Sequence, residues 1–243
     1  MNKLQPNTFS AHIAKTAIQA LPITYFEGEV IIVDHPNELA DAISYLSQQT
    51  ILGVDTEARP SFKRGVHYPT ALVQVATEEK CFLFRLTHVG MPQELANIFA
   101  NPAICKVGLA FKDDLNGLRR RRDFKPANCI DLQSIVCKYG IMELGLQKIF
   151  AIVFGKKISK AQQLTNWENS HLTPEQARYA STDAWATLLI YKVLKATKPL
   201  SKKEVDALKQ AEKEAQCRRQ QEALERKHQE QETNNPTNTP KES

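Results

Sequence analysis

The chain has 243 residues, 42% hydrophobic and 24% charged, an ordinary balance for one sizeable core with appendages. Its net charge of +5 is compatible with a polyanionic partner without requiring one. No apolar run approaches membrane-span length, the opening MNKLQPNTFSAHIAK lacks a secretory apolar core, and five cysteines without a CxxC pair argue against a disulfide framework or structural zinc, so a cytoplasmic protein with no membrane contact is expected.

Residues 1–28 read as an N-terminal arm packed on the main domain, with a short helix between Ile13 and Leu21 that Pro22 ends. Glu29–Val33 (EVIIV) predicts a strand. Asp34 or His35 then starts a helix patterned by Leu39, Ala42, Ile43 and Leu46. The apolar run of ILGVDTE, Ile51 to Glu57, predicts a buried strand whose acids sit where it emerges. Arg59 to Gly65 (RPSFKRG) forms a basic loop with a turn signal.

Ala71–Ala76 and Cys81–Leu86 predict two strands joined as a hairpin by Thr77-Glu78-Glu79-Lys80. A short helix from Pro92 to Ala100, a strand over Ile104–Leu109 and a helix from Lys112 to Arg120 follow. Asn128–Asp131 predicts a short strand running into a helix through Cys137, and Leu144–Phe154 a further helix. Thr173-Pro174-Glu175-Gln176 is a helix start, with a threonine cap, proline at the first position and glutamine three after the cap. That helix runs to about Lys195. From residue 198 Lys, Arg, Glu and Gln dominate, and the apolar residues are too sparse for a coiled-coil seam. A solvated helix fraying into disorder is expected, with ETNNPTNTPKES disordered. The predicted domains are thus the arm (1–28), an α/β domain with a mixed sheet (29–197) and a charged tail (198–243).

Three groups of acids stand out. Asp55 and Glu57, two apart on a strand, share a face. Two like charges that close repel, and a bound divalent cation relieves them, although a strand end entering an acidic turn is the plainer alternative. Asp113 and Asp114 follow a strand at a helix entry, where acids also simply oppose the macrodipole. Tyr179 and Asp183, four apart, share the helix stripe that carries Ala180, Ala184 and Leu188. An aspartate on such a stripe needs a partner or a metal.

In this order VDTE, FKDDL and LTPEQARYASTDAWA resemble the DEDDy group of 3′–5′ exonucleases, which includes ribonuclease D and the exonuclease domain of the Werner syndrome protein. The resemblance runs from about Val30 to Tyr191. The sister group has histidine five residues before the last aspartate. Arg178 stands there, which favours the tyrosine version, and His171 is too far upstream. The second motif often carries Asn or His before its aromatic, where this chain has Lys106, Val107 and Gly108.

The resemblance implies a ribonuclease H-like α/β fold, with a mixed five-stranded sheet flanked by helices. It implies catalytic roles for Asp55, Glu57, Asp114, Tyr179 and Asp183, with the four acids holding two divalent cations, Mg²⁺ or Mn²⁺. Tyr179 would hydrogen-bond and orient the attacking water and assist its deprotonation. The expected activity is hydrolysis of phosphodiester bonds from the 3′ end of DNA or RNA by a two-metal-ion mechanism. Alternatives are a catalytically silent nucleic-acid-binding or scaffold protein of the same fold, or a small-nucleotide phosphodiesterase.

Among residues expected to hold the nucleic-acid strand, Arg59, Lys63 and Arg64 reach phosphates while Phe62 and Tyr68 stack on bases; a solvated basic turn is the alternative. Arg119 to Arg122 read as a solvated helix end, and Trp167 as a packing residue. The tail is a candidate segment for a protein partner.

Overall fold

The computed structural model describes residues 9–63 and 65–233. The chain divides into two compact units between Pro199 and Leu200. The first unit contains, in order, α1 (Lys15–Ala20), β1 (Glu29–Val33), α2 (Pro36–Ser47), β2 (Ile51–Ala58), β3 (Thr70–Ala76) and β4 (Lys80–Arg85). It continues with α3 (Gln93–Ala100), β5 (Cys105–Gly108), α4 (Phe111–Arg121), β6 (Cys129–Asp131), α5 (Leu132–Ile135), α6 (Leu146–Phe154) and α7 (Pro174–Ala196).

The sheet order is β1-β4-β3-β2-β5-β6. β3 runs antiparallel to β2 and β4, and the other pairs are parallel. The resemblance implied five strands, and the sheet has six. β1 is the outermost member, its β-branched EVIIV pairing with Lys80–Phe84 at all five residues.

Strand polarity follows from the connections. The three-residue connection between β3 and β4 permits only a hairpin, whereas β1, β5 and β6 reach their parallel partners through longer crossings. β3 is buried at every position because helices cover both faces of the sheet. On one face Val54, Val73, Val75 and Phe84 pack with Leu46 of α2, Phe99 of α3 and Leu118 of α4. On the other, Leu72, Ala76 and Leu83 pack with Tyr179, Ala180 and Ala184 of α7. A third cluster joins Ile149 and Phe150 of α6 to Ala186 and Ile190 of α7.

α7 has buried residues on several sides and starts with the expected reciprocal cap. Gln176 N–H donates to Thr173 Oγ1 (3.2 Å), and Thr173 N–H donates to Gln176 Oε1 (3.1 Å). The helix lies directly on β2. A Cβ on Gly53 would come within 2.1 Å of the Ala184 carbonyl oxygen, so only glycine allows this approach.

The helix expected through Cys137 breaks after Ile135 into a 3₁₀ turn over Val136–Tyr139, which Gly140 ends at φ 87°. Segments before β1 bond to this unit: Thr24 N–H donates to the Lys157 carbonyl (2.9 Å) and Phe26 N–H to Thr182 Oγ1 (3.1 Å).

The second unit contains α8 (Lys202–Thr233), a 32-residue helix. Glu204 N–H donates to Ser201 Oγ (3.3 Å) and Ser201 N–H to Glu204 Oε2 (2.8 Å), a capping box at its start. The disorder expected from Glu232 on starts too early, because Glu232 and Thr233 still belong to α8; positions from 234 on lie outside the described residues. Among the described residues no helix is long and apolar enough to cross a membrane.

Candidate active site

β2 carries Asp55 and Glu57 onto the face covered by α7, and α7 returns Tyr179 and Asp183 to them, one turn apart. One carboxylate oxygen from each of Asp55, Glu57 and Asp183 lies within 4.8 Å of the others. Just past this set the β2–β3 register shifts between Glu57 and Ala58, ending the regular pairing where the cleft opens.

Asp114 arrives differently. α4 begins at Ala110, which has the left-handed φ of 53°, a conformation an alanine adopts only when held. Asp131, at the end of β6, holds it: the Ala110 and Phe111 N–H groups each donate to its carboxylate at 3.0 Å. The same carboxylate accepts from Gln133 N–H (3.0 Å) and so caps α5 as well. This anchoring places Asp114 in the first turn of α4, where Thr56 Oγ1 donates to its Oδ1. Asp114 is half-buried, whereas neighbouring Asp113 is exposed. Among the described residues Asp114 is not part of the three-carboxylate set within ligand distance.

The electrostatics are those of crowded anions away from water. Desolvation, then Glu57, Asp183 and Asp114, raise the Asp55 carboxyl well above its usual range. Desolvation with Asp183 and Asp114 pushes Glu57 up to about 9. Desolvation lifts Asp114 to about 7 against the opposing Thr56 hydrogen bond. Asp183 also rises to about 7 through desolvation, opposed by the hydrogen bond from the Tyr179 hydroxyl and by Lys160. Desolvation and the same carboxylates raise the Tyr179 phenol, which therefore stays protonated.

The acids open into a cleft of about 360 Å³. Its walls include residues that motif reasoning did not single out, among them Gln133, Gln147, Lys160 and Gln163. For Lys160 and Gln163 the available signal was the polar run SKAQQ, residues 159–163, which reads as an ordinary loop without the fold. Trp167 is 1% exposed and packs on Tyr179 with ring centroids 6.0 Å apart, as a packing residue should. Its loop is gripped from beneath by the buried Arg85, whose guanidinium donates to the carbonyls of Asn169 and Ser170.

Of the expected strand-holding residues that the structure describes, Arg59, Phe62, Lys63 and Tyr68, none lines the acidic cleft. Arg59 pairs with Glu168 (3.7 Å) and lies 4.9 Å over the Tyr68 ring. Phe62 is 84% exposed and Lys63 is exposed; Arg64 lies outside the described residues. Tyr68 lines a separate groove with His67, Arg120 and Arg121.

A family profile described as 3′-5′ exonuclease matches residues 30–197. The chain is 32% identical over 184 residues to the mouse protein named bifunctional 3′-5′ exonuclease/ATP-dependent helicase WRN, covering 72% of this chain and 13% of that protein. It is 31% identical over 150 residues to an Arabidopsis thaliana protein named 3′-5′ exonuclease, covering 59% of this chain and 52% of that one. It therefore spans about half or less of the length of these relatives.

Among solved structures, the Aedes aegypti Nibbler EXO domain superposes with a TM-score of 0.65 at 21% identity, over 78% of this chain and 99% of that one. Escherichia coli RNase D, titled an exoribonuclease involved in structured RNA processing, gives 0.61 at 24% identity, over 70% of this chain and 44% of that one. Trypanosoma brucei RNase D, solved with RNA U12, gives 0.63 at 19% identity, over 71% of this chain and 64% of that one. These likenesses show a shared ribonuclease H-like fold, and with the profile match across the sheet and α7 they place this chain in the 3′–5′ exonuclease family.

Proposed function

We propose that this domain hydrolyses phosphodiester bonds from the 3′ end of a nucleic-acid strand, using divalent cations held by Asp55, Glu57, Asp114 and Asp183. The carrying observation is the convergence of three carboxylates within 4.8 Å beside a buried tyrosine in an open cleft. The donor set fits Mg²⁺ or Mn²⁺, hard cations that take carboxylate oxygens, and it contains no soft ligand. When bound, such cations supply the Lewis acidity and charge compensation that phosphodiester hydrolysis needs.

The chain's own groups do the positioning. Asp55, Glu57 and Asp183 present their oxygens together. Asp114 has Oδ1 committed to Thr56, so Oδ2 is the oxygen it offers. The Tyr179 hydroxyl, bonded to Asp183, orients the attacking water. Its raised pKa suits a protonated group that holds the water in line and not a phenolate that takes its proton. Lys160 brings a positive charge to the Asp183 side, where a scissile phosphate would bind. Phe62, Tyr68, Arg59, Lys63 and Arg64 form the outer grip on the strand.

A cytoplasmic site of action fits five unbridged cysteines. The charged α8 offers a segment for a protein partner.

The test incubates end-labelled single-stranded DNA, RNA and duplexes with the protein plus Mg²⁺, Mn²⁺ or chelator. The expected result is a metal-dependent ladder shortening from the 3′ end, absent in folded Asp55→Ala and Asp183→Ala. A loss of roughly 10²–10⁴ in rate in Tyr179→Phe would mark a part in proton transfer, and a smaller loss a hydroxyl that only orients the water. No cleavage of any strand would overturn the proposal, and hydrolysis confined to dinucleotides would reassign the cleft to small nucleotides.

A further inference from the structure

Gln74 sits near the middle of β3 and is fully buried. Neither its amide nitrogen nor its amide oxygen has a hydrogen-bond partner, and among the described residues it is the side chain with two such orphaned atoms. Burying an amide this way destabilises a fold, and a leucine or methionine of similar size would avoid the penalty.

The sheet register shows what stands beside it. Gln74 pairs directly with Asp55 on β2 and with Leu83 on β4. Directly opposed residues project to the same face, with Cβ atoms about 4.5–5.5 Å apart. The shift in register comes only after Glu57, so the Asp55–Gln74 pairing is regular. The same face carries Leu72, Ala76 and Leu83 in the sheet, with Ala180 and Ala184 above it, and two charged residues diagonal to Gln74: Glu57 on β2 and the buried Arg85 on β4, whose guanidinium is taken up by the Asn169 and Ser170 carbonyls. Of Gln74's two directly opposed partners, Leu83 and Asp55, Asp55 is the polar one. Its carboxylate accepts a backbone hydrogen bond from Thr56 and, when ionised, has lone pairs for further donors.

We propose that Gln74 is a positioning residue for the metal site: its amide N–H donates to the Asp55 carboxylate when that carboxylate holds a divalent cation. The bond leaves one oxygen of Asp55 for the cation and fixes its direction. A neutral amide does this without competing for the cation's charge, as a lysine or arginine would. The same bond gives the buried amide nitrogen an acceptor. This role rests on the metal-binding reading of the acidic cleft.

The test measures Mn²⁺ binding to the full chain by calorimetry, and thermal unfolding without metal, for wild type, Gln74→Leu and Gln74→Met. Both variants remove the orphaned atoms while keeping the volume. The expected outcome is metal-free stability equal to or above wild type, with Mn²⁺ affinity about 10- to 100-fold weaker. A residue that only fills space would leave the affinity of the folded variants at the wild-type value, and that result would overturn the proposal. Failure of wild type itself to bind Mn²⁺ would overturn the metal site and this role with it, and is a separate observation.

Discussion

The hydroxyl of Thr56, in the second half of the interior strand β2, donates to Asp114 Oδ1, although Thr56 projects to the face opposite its neighbours Asp55 and Glu57. One strand thereby serves acids on both faces: two it carries itself, and one, from α4, it restrains. The bond favours the ionised form of Asp114 and opposes desolvation there. Thr56→Val keeps the shape and removes the donor, so the Asp114 carboxyl should rise further. A hydrogen bond to a charged group contributes about 1.5–3 kcal/mol, which corresponds to roughly one to two pH units. The acid limb of the pH–rate profile for strand hydrolysis should move to higher pH by about that amount. An unchanged profile would show that Asp114 does not need this partner.

The crowded acids also set a pH dependence of stability in the metal-free protein. Glu57 at about 9, and Asp114 and Asp183 at about 7, hold protons in the folded state that the unfolded chain has released above the ordinary carboxylate range. The native state then binds more protons than the unfolded one, so stability falls as pH rises. The loss begins above pH about 4, flattens near 7 for the two aspartates and continues toward 9 for Glu57. Melting temperatures of chelator-treated protein should drop across this window. Added Mn²⁺ should restore them most at its upper end, because ligands must be deprotonated to bind. A metal-free melting temperature that climbs with pH would contradict the electrostatics of the cleft.

Much of this arrangement is legible in the chain because it follows local rules. The alternation of β2 puts Asp55 and Glu57 on one face, and the Thr173 cap fixes the phase that aligns Tyr179 with Asp183. What the sequence hides is tertiary. The dual cap by Asp131 joins residues about twenty positions apart and looks like a strand end. Lys160 and Gln163 reach the cleft only because the segment after α6 folds back over β2. Gln74 alternates correctly for a strand and shows itself only once burial and register are known. The edge strand β1 has a clear pattern, but its place in the sheet depends on the long crossing to β4.

Gly53 tests how closely the site depends on the seating of α7. An added methyl would press on the Ala184 carbonyl at 2.1 Å and on the Leu188 Cβ at 2.8 Å. Backbone cannot rotate aside as a side chain can, so α7 must lift, carrying Asp183 from Asp55. Overpacking of this kind costs about 1–3 kcal/mol. Gly53→Ala should therefore lower the melting temperature. It should reduce strand hydrolysis and Mn²⁺ affinity well beyond what the lost stability explains, measured at a temperature where the variant is fully folded. Wild-type turnover in Gly53→Ala would mean the acids tolerate a displaced helix.

The loop after β2 has the features of a strand grip that is partly preorganised. Arg59 is held between Glu168 and the Tyr68 ring, so its guanidinium has a defined direction before any ligand arrives. Phe62, at 84% exposure, presents an aromatic face with little to gain from solvent. Stacking of a base on such a face contributes about 1–3 kcal/mol, so Phe62→Ala should weaken single-strand binding about 5- to 150-fold. Arg59→Glu should weaken binding of every sequence alike and make the salt dependence shallower by about one phosphate contact. Both are read by fluorescence anisotropy of a labelled oligonucleotide in an Asp183→Ala background, where turnover is blocked. Binding unchanged in both would move the strand away from this loop, toward the groove of His67, Tyr68, Arg120 and Arg121.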